Sequence, residues 1–235
     1  MFTYKGRTSC EMGLIIARDI VFASPSRAIE SIAVDGRNGS LTFDRDRYEN
    51  IERDIPVMLM SDINIEQRLT EISNWLLTDV GWHDFVWSAD HDFVYRAMCY
   101  QQYNINHLLK TVGKGIINFK FHPIKYLCSG LVEHPVMNNE VINNSYNIDA
   151  EPRLRILGSG NIDIHIGDQR LRLREIANGG CIVDTESQTI TSLDGQRTIF
   201  NQMYDGFPVL RPGNNRITFP QGVEMHMISR LGALV

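Results

Sequence analysis

The chain has 235 residues, 43% of them hydrophobic and 22% charged, which is an ordinary composition for a globular protein. Its formal net charge of -5 gives no overall basic field that would attract nucleic acid or an anionic membrane. No stretch approaches the ~20 consecutive apolar residues of a membrane-spanning helix. The first residues also lack the apolar run of a signal peptide. We therefore expect no membrane span and no export by the signal-peptide route.

Segments with the alternating pattern of strands begin the chain. We predict strands over residues 2–4, 13–22, 27–34 and 41–43. In a further strand Ile55, Val57 and Leu59 share one face. Pro56 places that strand at the edge of a sheet or near its own start, because proline cannot donate to a strand ladder. The charge-dense run 44–54 mixes both signs and predicts a solvated loop or hairpin.

One stretch has the period of a helix instead. The apolar side chains that stack on one stripe are those of Ile65, Leu69, Ile72 and Leu76. Asn64 is suited to accept from an unpaired amide of the first turn, so the spacing predicts a helix over residues 64–78. A lone amphipathic helix cannot bury its stripe by itself, so we expect sheets to be built around it.

Strand patterns resume after the helix. Residues 84–87 and 93–99 predict a hairpin, and Ile117, Phe119 and Phe121 mark a half-buried strand that Pro123 ends. The run 129–152 is rich in Asn and reads as a connector. We therefore expect two domains, 1–130 with the helix and 131–235 after it.

The second half repeats short strands between Gly, Pro and Asn turns. Ile162, Ile164 and Ile166 alternate with polar residues, and Gly167–Asp168 predicts a two-residue turn. Further strands are predicted over residues 169–173, 182–184, 188–191, 216–219 and 223–228. This spacing favours a sandwich or jelly roll. The predicted fold is mainly β, with two β-sandwich domains of which the first carries one α-helix.

Cysteine and histidine patterns give no strong metal signal. The four cysteines, at positions 10, 99, 128 and 181, include no Cys-x-x-Cys pair, so we expect buried free thiols rather than a zinc site or a disulfide framework. Asp90-His91-Asp92 resembles a ligand set but is more simply a hairpin turn. Glu224 with His226, and likewise His165, project from strands as members of a solvated face.

Catalytic patterns are also missing. We find no phosphate-binding loop, no nucleophile elbow and no pair of carboxylates set apart by context, and we assign no catalytic, cofactor-binding or metal-binding residue. Stacking on sugars or bases is one interpretation of Trp75, Trp82 and Trp87, but their position about the helix and hairpin favours core aromatics.

An ordered set of segments resembles the distal tail protein (Dit) family of long-tailed phages, mostly of Gram-positive hosts. The segments are 2–6 (FTYKG), 12–16 (MGLII), 24–27 (SPSR), 34–39 (VDGRNG), 48–50 (YEN), 75–76 (WL), 92–97 (DFVYRA), 119–123 (FKFHP), 151–156 (EPRLRI), 158–162 (GSGNI) and 207–215 (FPVLRPGNN). No segment is specific alone, but the set spans almost the whole chain. One departure is His122, where the family often has Cys.

The resemblance implies a fold and a role. Its members have an N-terminal β-sandwich with one helix that assembles into a homohexameric ring, alone or paired, and a C-terminal galectin-like sandwich. The ring joins the tail tube protein to the tail-associated hub protein and, in some particles, the receptor-binding protein. DNA passes through the lumen without specific binding. These properties place the chain in the virion, after assembly in the bacterial cytoplasm, with no cofactor, no membrane and no enzymatic activity.

A different class of function stays open. The second sandwich could be a carbohydrate-binding module that contacts the host surface, and a solvent-facing aromatic beside Asn, Arg or His would favour it. Tyr204 and Phe207 are the aromatics to examine, although both also suit a core or loop anchor. An enzyme acting on the cell wall is disfavoured, because the paired acids it needs are not identifiable.

Overall fold

The computed structural model describes residues 1–17, 20–109, 111–177 and 179–235, without the side chain of His107. The chain divides into two compact units: Met1–Lys125 with Leu234–Val235, and Tyr126–Ala233. Strands dominate both units, and the described residues contain one α-helix, which confirms the predicted mainly β fold. The residue bounds of the two predicted domains stay a prediction. No helix in the described part of the chain has the length and apolarity needed to cross a membrane.

The first unit is built on one sheet and one ribbon. Its strands are β1 (Phe2–Tyr4), β2 (Arg7–Thr8), β3 (Leu14–Ile16), β4 (Arg27–Ala33), β5 (Ser40–Tyr48), β6 (Ile51–Met60), β7 (His83–Trp87), β8 (Phe93–Met98), β9 (Asn104–Leu109) and β10 (Val112–Leu127), which continues into the second unit. The sheet follows the order β2-β1-β7-β8-β10-β6-β3, and β9 pairs with β10. Among the described strands, β4 and β5 pair only with each other.

The helix α1 (Ile65–Leu77) forms where the period predicts it, and the predicted range adds only its two caps. The Asn64 side chain accepts a hydrogen bond from the Glu66 N–H at 2.8 Å, which satisfies one of the free amides of the first turn. The buried helical residues are Ile65, Ile72, Trp75 and Leu76. The Trp75 indole N–H donates to the Tyr4 carbonyl at 2.9 Å and so ties the helix to β1.

Aromatic rings fill the core between this helix and the sheet. The rings of Phe2 and Phe85 stack at 5.0 Å, and Phe119 lies edge-on to Phe85 at 5.3 Å. Trp75 stacks on Phe2 at 6.0 Å. Such pairs contribute about 0.5–1.5 kcal/mol each beyond the area that they bury, so the cluster holds β1, β7, β10 and α1 together.

Two predictions for the first unit are wrong. The strand predicted over 13–22 ends at Ile16, because β6 offers β3 a register only from Val57 to Leu59; residues 18 and 19 lie outside the described residues. The run 44–54 is not a loop or hairpin. Its residues belong to two strands that do not pair with each other: β5 pairs with β4, and β6 pairs with β10 and β3. A strand tolerates this many charges because alternate side chains project to the solvent side of the sheet.

The two prolines mark where strand ladders stop. The prediction that Pro56 lies at a sheet edge or near the start of its strand is wrong, since β6 lies between β10 and β3 and Pro56 is in its middle. The ladder with β3 reaches only as far as Val57, and beyond it the Pro56 carbonyl accepts from the Ala17 N–H at 2.9 Å, so the missing N–H of Pro56 falls just past the end of that ladder. Pro123 does not end β10 as predicted. The register with β6 stops at Phe121, so the missing N–H of Pro123 breaks no bond to β6, and its carbonyl accepts from the Val235 N–H at 3.0 Å.

The second unit contains two antiparallel sheets. Its strands are β11 (His134–Val136), β12 (Val141–Asn144), β13 (Arg153–Leu157), β14 (Gly160–Ile166), β15 (Gln169–Ile176), β16 (Cys181–Asp184), β17 (Thr189–Ser192), β18 (Gly213–Thr218) and β19 (Glu224–Ile228). The last strand, β20 (Gly232–Leu234), pairs with β10 instead. One sheet has the order β11-β19-β13-β16-β17 and the other β12-β18-β14-β15. Aliphatic side chains from both sheets form one core.

Local sequence patterns predicted the core of the second unit well, but they did not predict the unit's first two strands. Ile162, Ile164 and Ile166 are all buried, and Ile166 pairs with Gln169 across the predicted two-residue turn. The predicted connector 129–152 is wrong, since it contains β11 and β12. Asn side chains disfavour strands, but in β12 the Asn144 amide is buried and donates to the carbonyls of Ile148 and Leu210, both at 2.8 Å.

Candidate interaction surfaces

The predicted turn at Asp90 has a structural task that the sequence did not show. The segment forms the β7–β8 turn, and the Asp90 carboxylate accepts from the Tyr95 hydroxyl at 2.5 Å and from Lys125 Nζ at 2.6 Å. Burial acts to raise the pKa of Asp90, but the bonds from Lys125 and Tyr95 outweigh it and lower that pKa. His91 and Asp92 remain on the exposed side of the turn.

The other histidine patterns lie on strand faces, as predicted. Glu224 and His226 lie on the same face of β19, and His226 Nδ1 is 3.9 Å from a Glu133 oxygen that also accepts from Arg155. His165 is exposed on β14. Over the described ranges, no three His, Cys, Asp or Glu residues are grouped so that they could hold a metal ion.

Tryptophans and cysteines divide by burial. Trp75 and Trp87 are core residues, but Trp82 is 42% exposed with its ring edge-on to His122, so the prediction of a core role is wrong for Trp82. Cys99 and Cys181 are the buried free thiols, and burial raises their pKa values to about 11 and about 12. Cys10 is exposed.

The β4–β5 ribbon presents an apolar face to solvent. Directly paired residues project to the same side, and the register pairs Ile32 with Leu41 and Glu30 with Phe43. We call Ile32, Leu41 and Phe43 the ribbon face. Ile32 and Phe43 are exposed, and Glu30 and Arg45 form an ion pair beside them.

Charges on the ribbon pair mainly with each other. Arg27 bonds the carboxylates of Asp44 and Asp46 and the hydroxyl of Tyr48. Exposed pairs of this kind contribute little, about 0–1 kcal/mol. A two-stranded hairpin without a covering layer is marginally stable in water. We therefore expect the ribbon to become more stable when another surface covers its apolar face.

A second apolar surface lies on the outer side of the first unit's sheet. Ile15, Met58, Met60 and Ile116 are all exposed on β3, β6 and β10, and we call them the sheet face. They are neighbours: Ile15 pairs with Met58, and Ile116 pairs with Pro56 two residues before Met58. Contiguous exposed apolar side chains of this kind mark interaction sites. Methionines at the outward positions of an alternating strand were the sequence signal that our interpretation missed.

The outward face of β15 in the second unit is polar. Arg170 and Arg174 both bond Asp163, at 2.6 and 2.5 Å, and these bonds lower the pKa of Asp163 to about 2, with Arg174 the larger cause. Arg172 forms a further pair with Asp205 at 2.9 Å.

Of the two aromatics singled out in the second unit, only one faces solvent. Tyr204 is 63% exposed, and its N–H donates to the Arg172 carbonyl at 3.0 Å, so it stands at the edge of the arginine-bearing strand. Phe207 packs against the core.

Comparison with solved structures identifies the same fold elsewhere. No protein-family model matches the chain, and no curated protein sequence does. The crystal structure of the Dit (gp 19.1) protein of phage SPP1, described as a paradigm of the hub adsorption apparatus in Gram-positive infecting phages, aligns with a TM-score of 0.74. The alignment covers 96% of each chain at 14% sequence identity. The resemblance predicted from the sequence is thus confirmed as a likeness of fold.

Proposed function

We propose that this chain is a distal tail protein: a structural subunit that forms a homohexameric ring, single or paired, at the tail tip of a long-tailed phage. The observation that carries the proposal is the shared fold over 96% of both chains with the Dit hub protein of SPP1. In this role the ring connects the tail tube protein to the hub protein and the adsorption apparatus, and DNA passes through its lumen. The chain works in the virion without catalysis or cofactor.

The exposed surfaces of the first unit support self-assembly. The ribbon face and the sheet face both leave apolar side chains in water, and each Å² of such area that a neighbour covers contributes about 25 cal/mol. A closed ring uses the same two different patches on every copy. Two apolar surfaces on one unit therefore suit a subunit with a neighbour on either side.

The proposal is tested by the mass of the purified chain in solution, measured by light scattering, with negative-stain images of the same fractions. We expect six-fold rings or pairs of rings. Replacing Phe43 with Ser on the ribbon face should shift the protein to smaller species, because it removes exposed apolar area from the contact. Thr42→Ser on the opposite face is the matched control. A wild-type chain that remains a monomer at every concentration would contradict the ring.

A second function is favoured by one specific observation. Tyr204 is exposed beside Arg172 and Asp205, an arrangement of aromatic face and polar groups that suits a sugar ring. Carbohydrate binding by the second unit is tested on a glycan array with wild type and Tyr204→Ala. Binding that Tyr204→Ala abolishes would support it, and an array without signal would remove it.

A further inference from the structure

Arg53 is a charged residue on the inward face of a strand. β6 alternates, and the residues on its buried side are Ile51, Arg53, Ile55, Val57 and Leu59. Arg53 is only 3% exposed, so its guanidinium lies out of water with the aliphatic residues of that face. Desolvation lowers the pKa of Arg53 from its ordinary value, which reflects the energetic penalty of keeping the charge there.

The guanidinium has ring neighbours, but two of its three nitrogens lack an acceptor among the described residues. Its central carbon lies 4.8 Å from the Phe22 ring centre and 5.0 Å from that of Phe121. Within the described residues, neither Nε nor Nη1 of Arg53 finds a hydrogen-bond acceptor. Aromatic rings attract the charge but leave these N–H groups unsatisfied. Buried charges in proteins are ordinarily paired with an opposite charge, and in the described part of the chain Arg53 has no such partner.

A second unsatisfied donor lies under the same aromatic ring. The indole N–H of Trp87 is buried and, in the described part of the chain, has no acceptor. The Phe22 ring lies edge-on to Trp87 at 6.2 Å, so Phe22 contacts both donor residues. The unsatisfied N–H groups of Arg53 mark a place for an acceptor, and Phe22 borders both this place and Trp87.

Phe22 has the position of a lid on this place. It is 66% exposed although it lies against Arg53 and Trp87, so most of its own surface remains in water. Five residues later the chain enters β4 at Arg27, so Phe22 is covalently close to the ribbon. A neighbour that binds the ribbon would reach the lid as well.

We propose that the Arg53 guanidinium binds a carboxylate side chain of a second copy of this chain, and that Phe22 covers the place until the copies meet. The inference rests on the proposed self-assembly and names one of its contacts. A carboxylate matches the planar fork of the guanidinium and can accept from two donors. The chain also carries an excess of acidic residues, 28 against 23 basic ones, so a second copy supplies the complementary charge.

The decisive variant is Arg53→Met, because it separates the subunit from the assembly. An unpaired buried charge destabilises the chain that contains it, and an apolar residue of similar length removes that penalty. In urea unfolding under dissociating conditions, we expect the midpoint of Arg53→Met to rise above that of wild type. In sedimentation over a dilution series, we expect its self-association to weaken at least tenfold. A lower midpoint together with unchanged association would show that Arg53 only supports the fold, and would overturn the inference.

Phe22→Ala provides a second variant, since it alters an exposed side chain and leaves both donors in place. Without the Phe22 ring the guanidinium loses one cation–π interaction and becomes easier for a carboxylate to reach. Such an interaction contributes ~0.5–1 kcal/mol, which corresponds to self-association about 2–5-fold tighter. Val21→Ala, at the exposed neighbouring residue, is the matched control and should match wild type. Weaker association of Phe22→Ala alone would show that Phe22 is itself a contact and would contradict the lid.

Sodium acetate identifies the source of the carboxylate. If an acidic side chain of a second copy occupies the place, acetate competes and weakens wild-type association more than sodium chloride of equal ionic strength, while Arg53→Met shows no such difference. Acetate that changes tryptophan fluorescence without changing association would point to a free carboxylate ligand and overturn the second copy. Wild-type rings that Arg53→Met and acetate leave intact contradict this inference alone, whereas absence of rings contradicts the proposed function.

Discussion

The two units treat buried polar groups in opposite ways. In the second unit Asn144 and Asn215 are buried but satisfied, since their amides donate to several backbone carbonyls. In the first unit the buried donors of Arg53 and Trp87 have no acceptor among the described residues, and two apolar surfaces face water. The second unit thus pairs these buried polar groups internally, while the first leaves buried donors without an acceptor in the described part of the chain. If the chain assembles as proposed, this difference favours the first unit as the place of the contacts.

The largest effect should come from the closed core of the second unit. Leu154 is fully buried on β13, and Leu154→Ala should lower the free energy of unfolding by about 2–5 kcal/mol through lost transfer energy and a cavity. Urea unfolding measures it, with the exposed His165→Ala as control. If the two variants unfold at the same midpoint, this core is not the tightly packed one described here.

Asn144→Leu tests whether the second unit depends on its satisfied polar groups. The three hydrogen bonds of the side chain disappear, and the carbonyls of Ile148 and Leu210 each lose a donor, so we expect the free energy of unfolding to fall by about 1–3 kcal/mol. Arg53→Met, which also replaces a buried polar residue by an apolar one, should instead raise the free energy of unfolding, so the two variants together test the contrast between the units. If both variants shift the urea midpoint in the same direction, the contrast between the units fails.

Ile116→Ser on the sheet face should separate stability from assembly. Because Ile116 is exposed in the isolated chain, its replacement should change the free energy of unfolding by no more than about 0.5 kcal/mol. The ring should nevertheless dissociate at higher protein concentration than wild type. Lys114→Ser, on the same side of β10, is the matched control for sedimentation. Equal association of the two variants would show that the sheet face meets no neighbour.

The smallest effect should be electrostatic and confined to the second unit. The bonds from Arg174 and Arg170 hold the pKa of Asp163 at about 2 in the folded chain, below its ordinary value of 3.8. Its pairs therefore stabilise the fold above the unfolded pKa, and this contribution is lost as the pH falls through about 2. Asp163 is about one-third exposed, so solvent screening keeps the effect below about 1 kcal/mol. Asp163→Asn should flatten the stability profile between pH 4 and about 2, and an unchanged acid profile would contradict it.

Local signals predicted those parts of the fold that local physics determines. The helix follows from the stripe of Ile65 to Leu76 and the Asn64 cap, and the β14–β15 hairpin follows from its isoleucines and Gly167. The β12 strand could not be predicted, because Asn144 is stabilised by carbonyls that the chain brings together only on folding. The length of β3 could not be predicted either, because it depends on how many of its residues pair with β6.

The candidate surfaces were less accessible to sequence reasoning. Arg53 falls on the same parity as Ile51 and Ile55, so alternation placed it inside, but the many charges around it suggested a solvated loop. Trp82 looked like a core aromatic because its neighbours Trp75 and Trp87 are. Exposure of an apolar side chain depends on which strand lies across from it, and no local pattern contains that information.

The buried thiols have a consequence for the oxidation of the chain. Oxidation by peroxide or disulfide exchange proceeds through the thiolate, and the pKa values of about 11 and about 12 at Cys99 and Cys181 keep that form scarce. Burial thus protects these two side chains from oxidation. Thiol-specific reagents should accordingly label Cys10 well before they reach Cys99 or Cys181 in the folded chain.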